Sequence, residues 1–167
     1  MKRIIILIFS MYMIFSSVNI CFADTLKTDN DIQRNFEILS TLDIADWTSD
    51  EAVTRTEFLK IVTDLIVVND IDSYSSCSSP FADVDDDTRY RNNIIAAYDY
   101  GLVNGNNGFF YPCDEIGYNE AVKILVTALG YGMQAEYKGG YPIGYIKVAK
   151  GIGIDYDFSD KMMRSDC

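Results

Sequence analysis

Two stretches of this chain carry the same apolar stripe, and a shift of 63 residues lays one on the other. Phe58, Ile61, Val62, Leu65 and Ile66 fall at i, i+3, i+4, i+7 and i+8; Ala121, Ile124, Leu125, Ala128 and Leu129 repeat that spacing. Each set predicts an amphipathic helix with one buried face. The same shift brings Val53 onto Ile116 and Glu57 onto Glu120, so the match extends to the residues before the helix. A third start is visible at Met163-Arg164-Ser165-Asp166, where the chain stops.

Each start follows another helical segment. Ile32, Phe36 and Leu39 lead to Leu42-Asp43-Ile44; Tyr90, Ile94, Ala97 and Tyr98 lead to Gly101; Tyr145, Val148, Ala149 and Ile152 lead to Gly153-Ile154. The predicted architecture is therefore mainly α, a helix-loop-helix unit repeated in tandem. Thr54-Arg55-Thr56-Glu57 reads as a capping box: the Thr54 hydroxyl accepts a free N–H of the first turn and the Glu57 carboxylate reaches back. Gly117 replaces the threonine in the second copy, a weaker cap. Asn-Gly steps at 104–108 and Pro112 mark tight turns between the helices of the second unit. The Ser/Asp-rich segment 70–80 and the Gly-rich segment 130–140 read as linkers, and 24–30 as a flexible lead-in.

The first 23 residues predict export. Lys2 and Arg3 precede an apolar run from Ile4 to Val18, followed by Cys21-Phe22-Ala23, the order of a secretory signal cleaved after Ala23. A lipobox at Cys21 is the rival reading, against which stand Asn19 and bulky Ile20. No further segment is apolar and long enough to span a membrane once the signal is removed. The full chain carries −11; residues 1–23 hold two bases and no acid, so the remainder carries −13. Such a surface does not bind nucleic acid, whose phosphates require Lys and Arg. Histidine is absent, which removes the commonest general base and zinc ligand. Of the cysteines after the signal, Cys77 and Cys113 can form a disulfide or stand as separate thiols beside Cys167; both readings stay open.

Several motifs, in order, resemble those of S-layer homology repeats. Phe81-Ala82-Asp83-Val84 resembles the Phe-x-Asp-Val opening and Gly101-Leu102-Val103-Asn104-Gly105 the Gly-Ile-x-x-Gly element. Asn107-Gly108-Phe109-Phe110-Tyr111-Pro112 is similar to the Asp-Gly-Thr-Phe-x-Pro turn, and Val53 to Phe58 to the Ile-Thr-Arg-Ala-Glu signature. Met162 to Asp166 echoes that signature. The resemblance implies three repeats in a three-pronged helical spindle: repeat one over 31–69, partly degenerate, repeat two over 81–130, and repeat three over 141–167, cut short. It also implies attachment to a bacterial cell wall by binding secondary cell-wall polysaccharide, often pyruvylated, in grooves between prongs. By position the contacts fall on Arg55, Arg164, Asp83 and Tyr118, the last standing where the second repeat lacks its arginine. An arginine at a helix start suits an anionic sugar, since its planar fork meets a carboxylate with two hydrogen bonds.

Other readings compete. An EF-hand loop opening at Asp83 needs glycine and glutamate where Thr88 and Ile94 stand, so Asp83, Asp85, Asp86 and Asp87 read as an acidic turn before a helix. Neither a pair of carboxylates with a cleft nor a cofactor motif is evident, so no enzyme, metal or cofactor is expected. The alternative function is an interaction or assembly module that keeps the fold without sugar binding. In that reading the chain self-associates, or a partner completes the third repeat.

Overall fold

Every unit start marked by the sequence is met in the structure by a helix or a helical turn. The computed structural model describes residues 29–41, 45, 47–66, 71–154 and 161–166. The expected export signal, the segment Leu42-Asp43-Ile44 and Cys167 lie outside these residues. Of the lead-in, Asp29 and Asn30 are described, and they open a helix.

The elements are α1 (Asp29–Thr41), α2 (Arg55–Ile66), α3 (Arg91–Asp99), α4 (Tyr118–Ala128), α5 (Gly132–Tyr137) and α6 (Ile143–Gly151). Short 3-10 segments cover Ile71–Ser76 and Arg164–Asp166. Among the described residues there are isolated β-bridges but no strands, and the chain is mainly α as expected. The helices stop where the sequence says they should. At the end of α3, Gly101 takes φ 69°, its N–H donates to the Tyr98 carbonyl and the Leu102 N–H to the Ala97 carbonyl. This Schellman closure needs a residue free to enter the left-handed region. Tyr131 and Ile154 close α4 and α6 in the same way, onto Val126 and Ala149.

The three unit starts meet one another. The Val53 N–H donates to the Met162 carbonyl at 2.9 Å, the Ile116 N–H to the Val53 carbonyl at 2.8 Å, and the Met162 N–H to the Ile116 carbonyl at 3.3 Å. All three side chains are buried. The result is a closed ring of backbone hydrogen bonds, each unit donating to one neighbour and accepting from the other. A second set runs in the opposite sense: the Arg55 N–H of unit one donates to the Asp114 carbonyl of unit two, and the Arg164 N–H of unit three to the Glu51 carbonyl of unit one. Around this ring α2 of unit one packs on α3 of unit two, and α4 of unit two on α6 of unit three. One apolar core runs through all three units, from Phe36 and Trp47 through Leu59, Ile94 and Phe110 to Tyr145 and Met162.

This packing turns the expected helix faces. Leu65 and Leu129, placed on the buried stripes, are 60% and 54% exposed, whereas Leu59 and Val122, off the stripes, are fully buried. The cause is contact on two sides: α2 touches both α3 and α4, and α4 touches α2, α5 and α6. A helix held between neighbours buries a wider arc than a surface helix, so its outer edge moves round. The segment expected as a linker at 130–140 contains α5. Its Ala135 is buried, and a Cβ on Gly144 of α6 would run into the Ala135 carbonyl oxygen, so glycine permits the close approach of α5 and α6. The Tyr145 hydroxyl donates to the Glu136 carboxylate and ties the two together. Likewise the segment 70–80 carries a 3-10 turn packed on α3.

If the ring and its side chains carry the fold, Ile116→Ala should lower the stability to urea unfolding by about 3 kcal/mol. Leu129→Ala, on an exposed edge, should change it by no more than about 0.5 kcal/mol. Equal losses would show that the buried face is misassigned.

Candidate functional site

The start of α2 is the expected capping box. The Glu57 N–H donates to Thr54 Oγ1 at 3.2 Å, and Glu57 Oε2 accepts from the Thr54 N–H at 3.1 Å. In α4 only the glutamate half exists: Glu120 Oε2 accepts from the Gly117 N–H at 3.3 Å, and Gly117 has no side chain to return the bond. These boxes fix the glutamates at the first turns, where the arginines of neighbouring units find them.

Arg55 reaches across the joint between units one and two. Its Nη1 lies 2.7 Å from Glu120 Oε1, its Nε donates to the Phe110 carbonyl at 2.9 Å, and its guanidinium sits 5.0 Å from the centre of the Phe110 ring. The side chain is only 15% exposed and forms the floor of a groove of about 190 Å³. Asn104 and Gly105 line one wall; Lys123 and Tyr141 line the other, with the ammonium 5.5 Å from the ring centre.

A second groove repeats this design between units three and one. Arg164 Nη2 lies 3.4 Å from Glu57 Oε1 and Nη1 3.2 Å from Glu51 Oε2, with the guanidinium 5.6 Å from the Trp47 ring. Lys60 stands 5.7 Å from the Tyr90 ring, and Arg89 closes the wall. The 63-residue shift maps Glu57 to Glu120, Lys60 to Lys123 and Trp47 to Phe110, so these three positions of the two grooves correspond, while Tyr90 and Tyr141 do not fall on each other under it. In both, the arginine of one unit meets the glutamate of the next. One difference is that the Nε of Arg164 is buried and unpartnered among the described residues, where that of Arg55 is bonded.

The charges differ in how they are spent. Arg55 and Arg164 are ion-paired, and Lys60 is held by Asp64 at 2.6 Å. Among the described residues no carboxylate pairs with Lys123 or with Arg89, whose Nη2 donates to the Tyr90 hydroxyl at 2.7 Å. Among the described residues each groove thus keeps one cation outside an ion pair.

Two of the other residues expected at the site do different work. Asp83 uses both oxygens on the turn backbone: Oδ1 accepts from the Phe110 N–H at 2.8 Å and Oδ2 from the Tyr111 N–H at 2.7 Å. Tyr118 occupies the arginine position of unit two but is buried and lines neither groove. The disulfide is not formed: Cys77 and Cys113 are free, exposed thiols on separate turns. The acidic turn closes on itself and on α3: Asp85 Oδ1 accepts from Thr88 Oγ1, and Asp86 lies 3.3 Å from Arg91 Nε. Two tyrosine pKa values are raised, Tyr145 by burial and its bond to Glu136, and Tyr74 by desolvation and its bond to Asp99. Neither tyrosine lines a groove.

No protein-family model matches the chain. It is similar to an amylopullulanase of Thermoanaerobacterium thermosulfurigenes, 32% identical over 123 residues, 67% of this chain and 6% of that protein. It is 26% identical over 167 residues to a cell surface protein of Thermoanaerobacter kivui, which covers 92% of this chain and 21% of that one. To the exoglucanase XynX of Acetivibrio thermocellus it is 30% identical over 122 residues, 66% of this chain and 11% of the enzyme. The chain therefore corresponds to a small part of each of these bacterial proteins.

The capping box gives a direct check on the site's scaffold. Thr54→Ala should cost about 1 kcal/mol of folding stability in denaturant titrations, because it orphans an N–H of the first turn of α2. Thr54→Ser should restore most of that loss. No loss on Thr54→Ala would remove the box as the anchor of Glu57.

Proposed function

We propose that this chain is a non-catalytic surface-attachment module of the S-layer homology type, which holds its protein to secondary cell-wall polysaccharide. The observation that carries the reading is the repetition of one groove at two joints, each with an arginine floor, a lysine and a tyrosine ring. In a chain of net charge −11, cations gathered twice at corresponding positions favour an acidic substituent on an otherwise neutral polymer. The tyrosine faces offer apolar surface to sugar rings, and Lys123 and Arg89 offer charge that no carboxylate takes among the described residues. A pyruvyl group on a sugar has the required carboxylate. Similarity to small parts of two enzymes and a cell surface protein supports a segment that serves proteins of different activity. The signal-like N-terminus supports export to the wall of a Gram-positive-type envelope.

A second reading has its own observation. Both signature arginines are already paired with glutamates, and unit two has Tyr118 in that position. A module that kept the fold and gave up sugar would look the same at those positions, and would act in assembly with other proteins.

Co-sedimentation with purified wall sacculi decides between them. The protein should pellet with intact sacculi and stay in solution with sacculi stripped of secondary polysaccharide. Arg89→Gln with Lys123→Gln should weaken retention about tenfold or more, since hydrogen bonds to charged groups are worth about 1.5–3 kcal/mol, while leaving the unfolding transition in place. Arg55→Ala should lower retention and stability together. Equal pelleting on stripped sacculi would sink the first reading, and self-association without any retention would favour the second.

A further inference from the structure

Charge is divided unevenly along this chain. Residues 61–88 hold seven aspartates and no base, whereas residues 117–154 hold four lysines and two glutamates, a surplus of +2 in a chain of −11. The fold keeps the two stretches apart. The 3-10 segment Ile71–Ser76 packs on α3, α5 packs on α4 and α6, and α2 stands between, touching α3 and α4. Among the described residues no ion pair links one stretch to the other.

The basic stretch also carries large, bare apolar side chains. At about 100° per residue, Met133 and Tyr137 of α5 fall on either side of the direction opposite the buried Ala135. They are 90% and 92% exposed. Lys138 ends the helix, and the Lys147 ammonium donates to the Lys138 carbonyl at 3.5 Å, which brings a second cation to the same end. Exposed aromatic and methionine side chains of this kind are what protein interfaces gather. The acidic stretch offers a matching surface at the end of α3. Asp72 and Asp99 are exposed, and the Tyr74 hydroxyl donates to Asp99 at 3.1 Å, which ties the 3-10 segment to the helix end. Tyr98 and Tyr100 flank Asp99 and are half-exposed.

We infer that α5 is a docking face for the acidic end of α3 on a second copy of this chain. Met133 and Tyr137 would pack on Tyr98 and Tyr100, while Lys138 and Lys147 meet Asp72 and Asp99. Charge selects both the partner and its orientation. Laid on its own counterpart, the α5 face would oppose lysine to lysine; laid on the acidic face, it opposes lysine to aspartate. At physiological salt, charges beyond about 8 Å are largely screened, so the facing charges count for more than the net repulsion of two acidic chains. Each copy has one face of each kind, so the contact leaves a face unused at either end and repeats as an open chain. Neither face includes a residue of the two grooves, so assembly leaves the grooves accessible.

Sedimentation velocity of the full chain, with reductant holding Cys77 and Cys113 as thiols, tests the contact. The mean mass should climb past two copies as the concentration rises to about 1 mM. Tyr137→Gln with Lys138→Gln should keep the chain monomeric, and so should Asp72→Lys with Asp99→Lys, each with an unchanged unfolding midpoint. Asp72→Lys alone, which keeps the Tyr74–Asp99 bond, replaces the second pair should its midpoint move. Mixed in equal amounts, the two variants should form a dimer and grow no further, since each supplies the one face that the other lacks. The inference is overturned if the unaltered chain stays monomeric, and equally if phosphatidylglycerol vesicles then capture it through Lys138. It is also overturned if the unaltered chain stops at a dimer, or if the mixture stays monomeric or grows into chains.

Discussion

The closed ring of backbone hydrogen bonds among Val53, Ile116 and Met162 is the constraint on which the other features depend. Its six polar groups accompany buried side chains, where an unpaired N–H or carbonyl costs about 1–3 kcal/mol. Each unit satisfies two neighbours at once, so losing any one start orphans a donor on one of the others and an acceptor on the remaining one. The units are therefore not beads on a string, and the short stretch at Met162 to Arg164 matters beyond its length. The ring also sets geometry. It fixes where α2 and α4 begin, and two residues past Val53 and Met162 it aims an arginine at the glutamate of the next unit.

That offset explains why the grooves lie between units and not within them. Arg55 and Glu57 are two residues apart in sequence, yet they serve different grooves, one facing unit two and the other receiving Arg164 from unit three. Tyr118 breaks the rotation at the remaining joint, where a phenol replaces the guanidinium and is buried. Asp83 acts one step back from the grooves. By holding the N–H groups of Phe110 and Tyr111 it sets the Phe110 carbonyl and ring that receive Arg55.

Much of this was legible in the sequence because it is periodic or local. The helix pairs follow from apolar spacing, the stops from Gly101 and Gly153, and the capping box from Thr54 and Glu57 alone. What escaped is what depends on packing at long range. Leu59 and Val122 lie off the single stripe and became core because their helices are held on two sides. Segment 130–140 looks like a linker by its glycines, but Ala135 and Gly144 let backbone approach backbone, and a helix forms there. The ion pairs join residues 65 and 107 positions apart. The 63-residue shift already carried half of that information, since it places Glu57 on Glu120 and Lys60 on Lys123, but it does not say which arginine each glutamate meets.

The pairing of the arginines bears on how the grooves would handle an anion. A guanidinium bonded to a glutamate and to a backbone carbonyl is oriented and largely neutralised, so it serves better as a fixed donor floor than as the source of attraction. Long-range attraction has to come from charge that is not already spent. Lys123 in one groove and the exposed Arg89 in the other fill that requirement, each against a tyrosine ring. Division of labour follows from pairing: the arginine keeps its shape because it is paired, and the second cation stays available because, among the described residues, no carboxylate pairs with it. A substituent carrying both a carboxylate and a sugar ring would meet that cation and the ring face together. An inorganic anion of the same charge would meet only the first. Discrimination between the two would therefore rest on the tyrosines, Tyr141 and Tyr90, more than on any arginine of the signature.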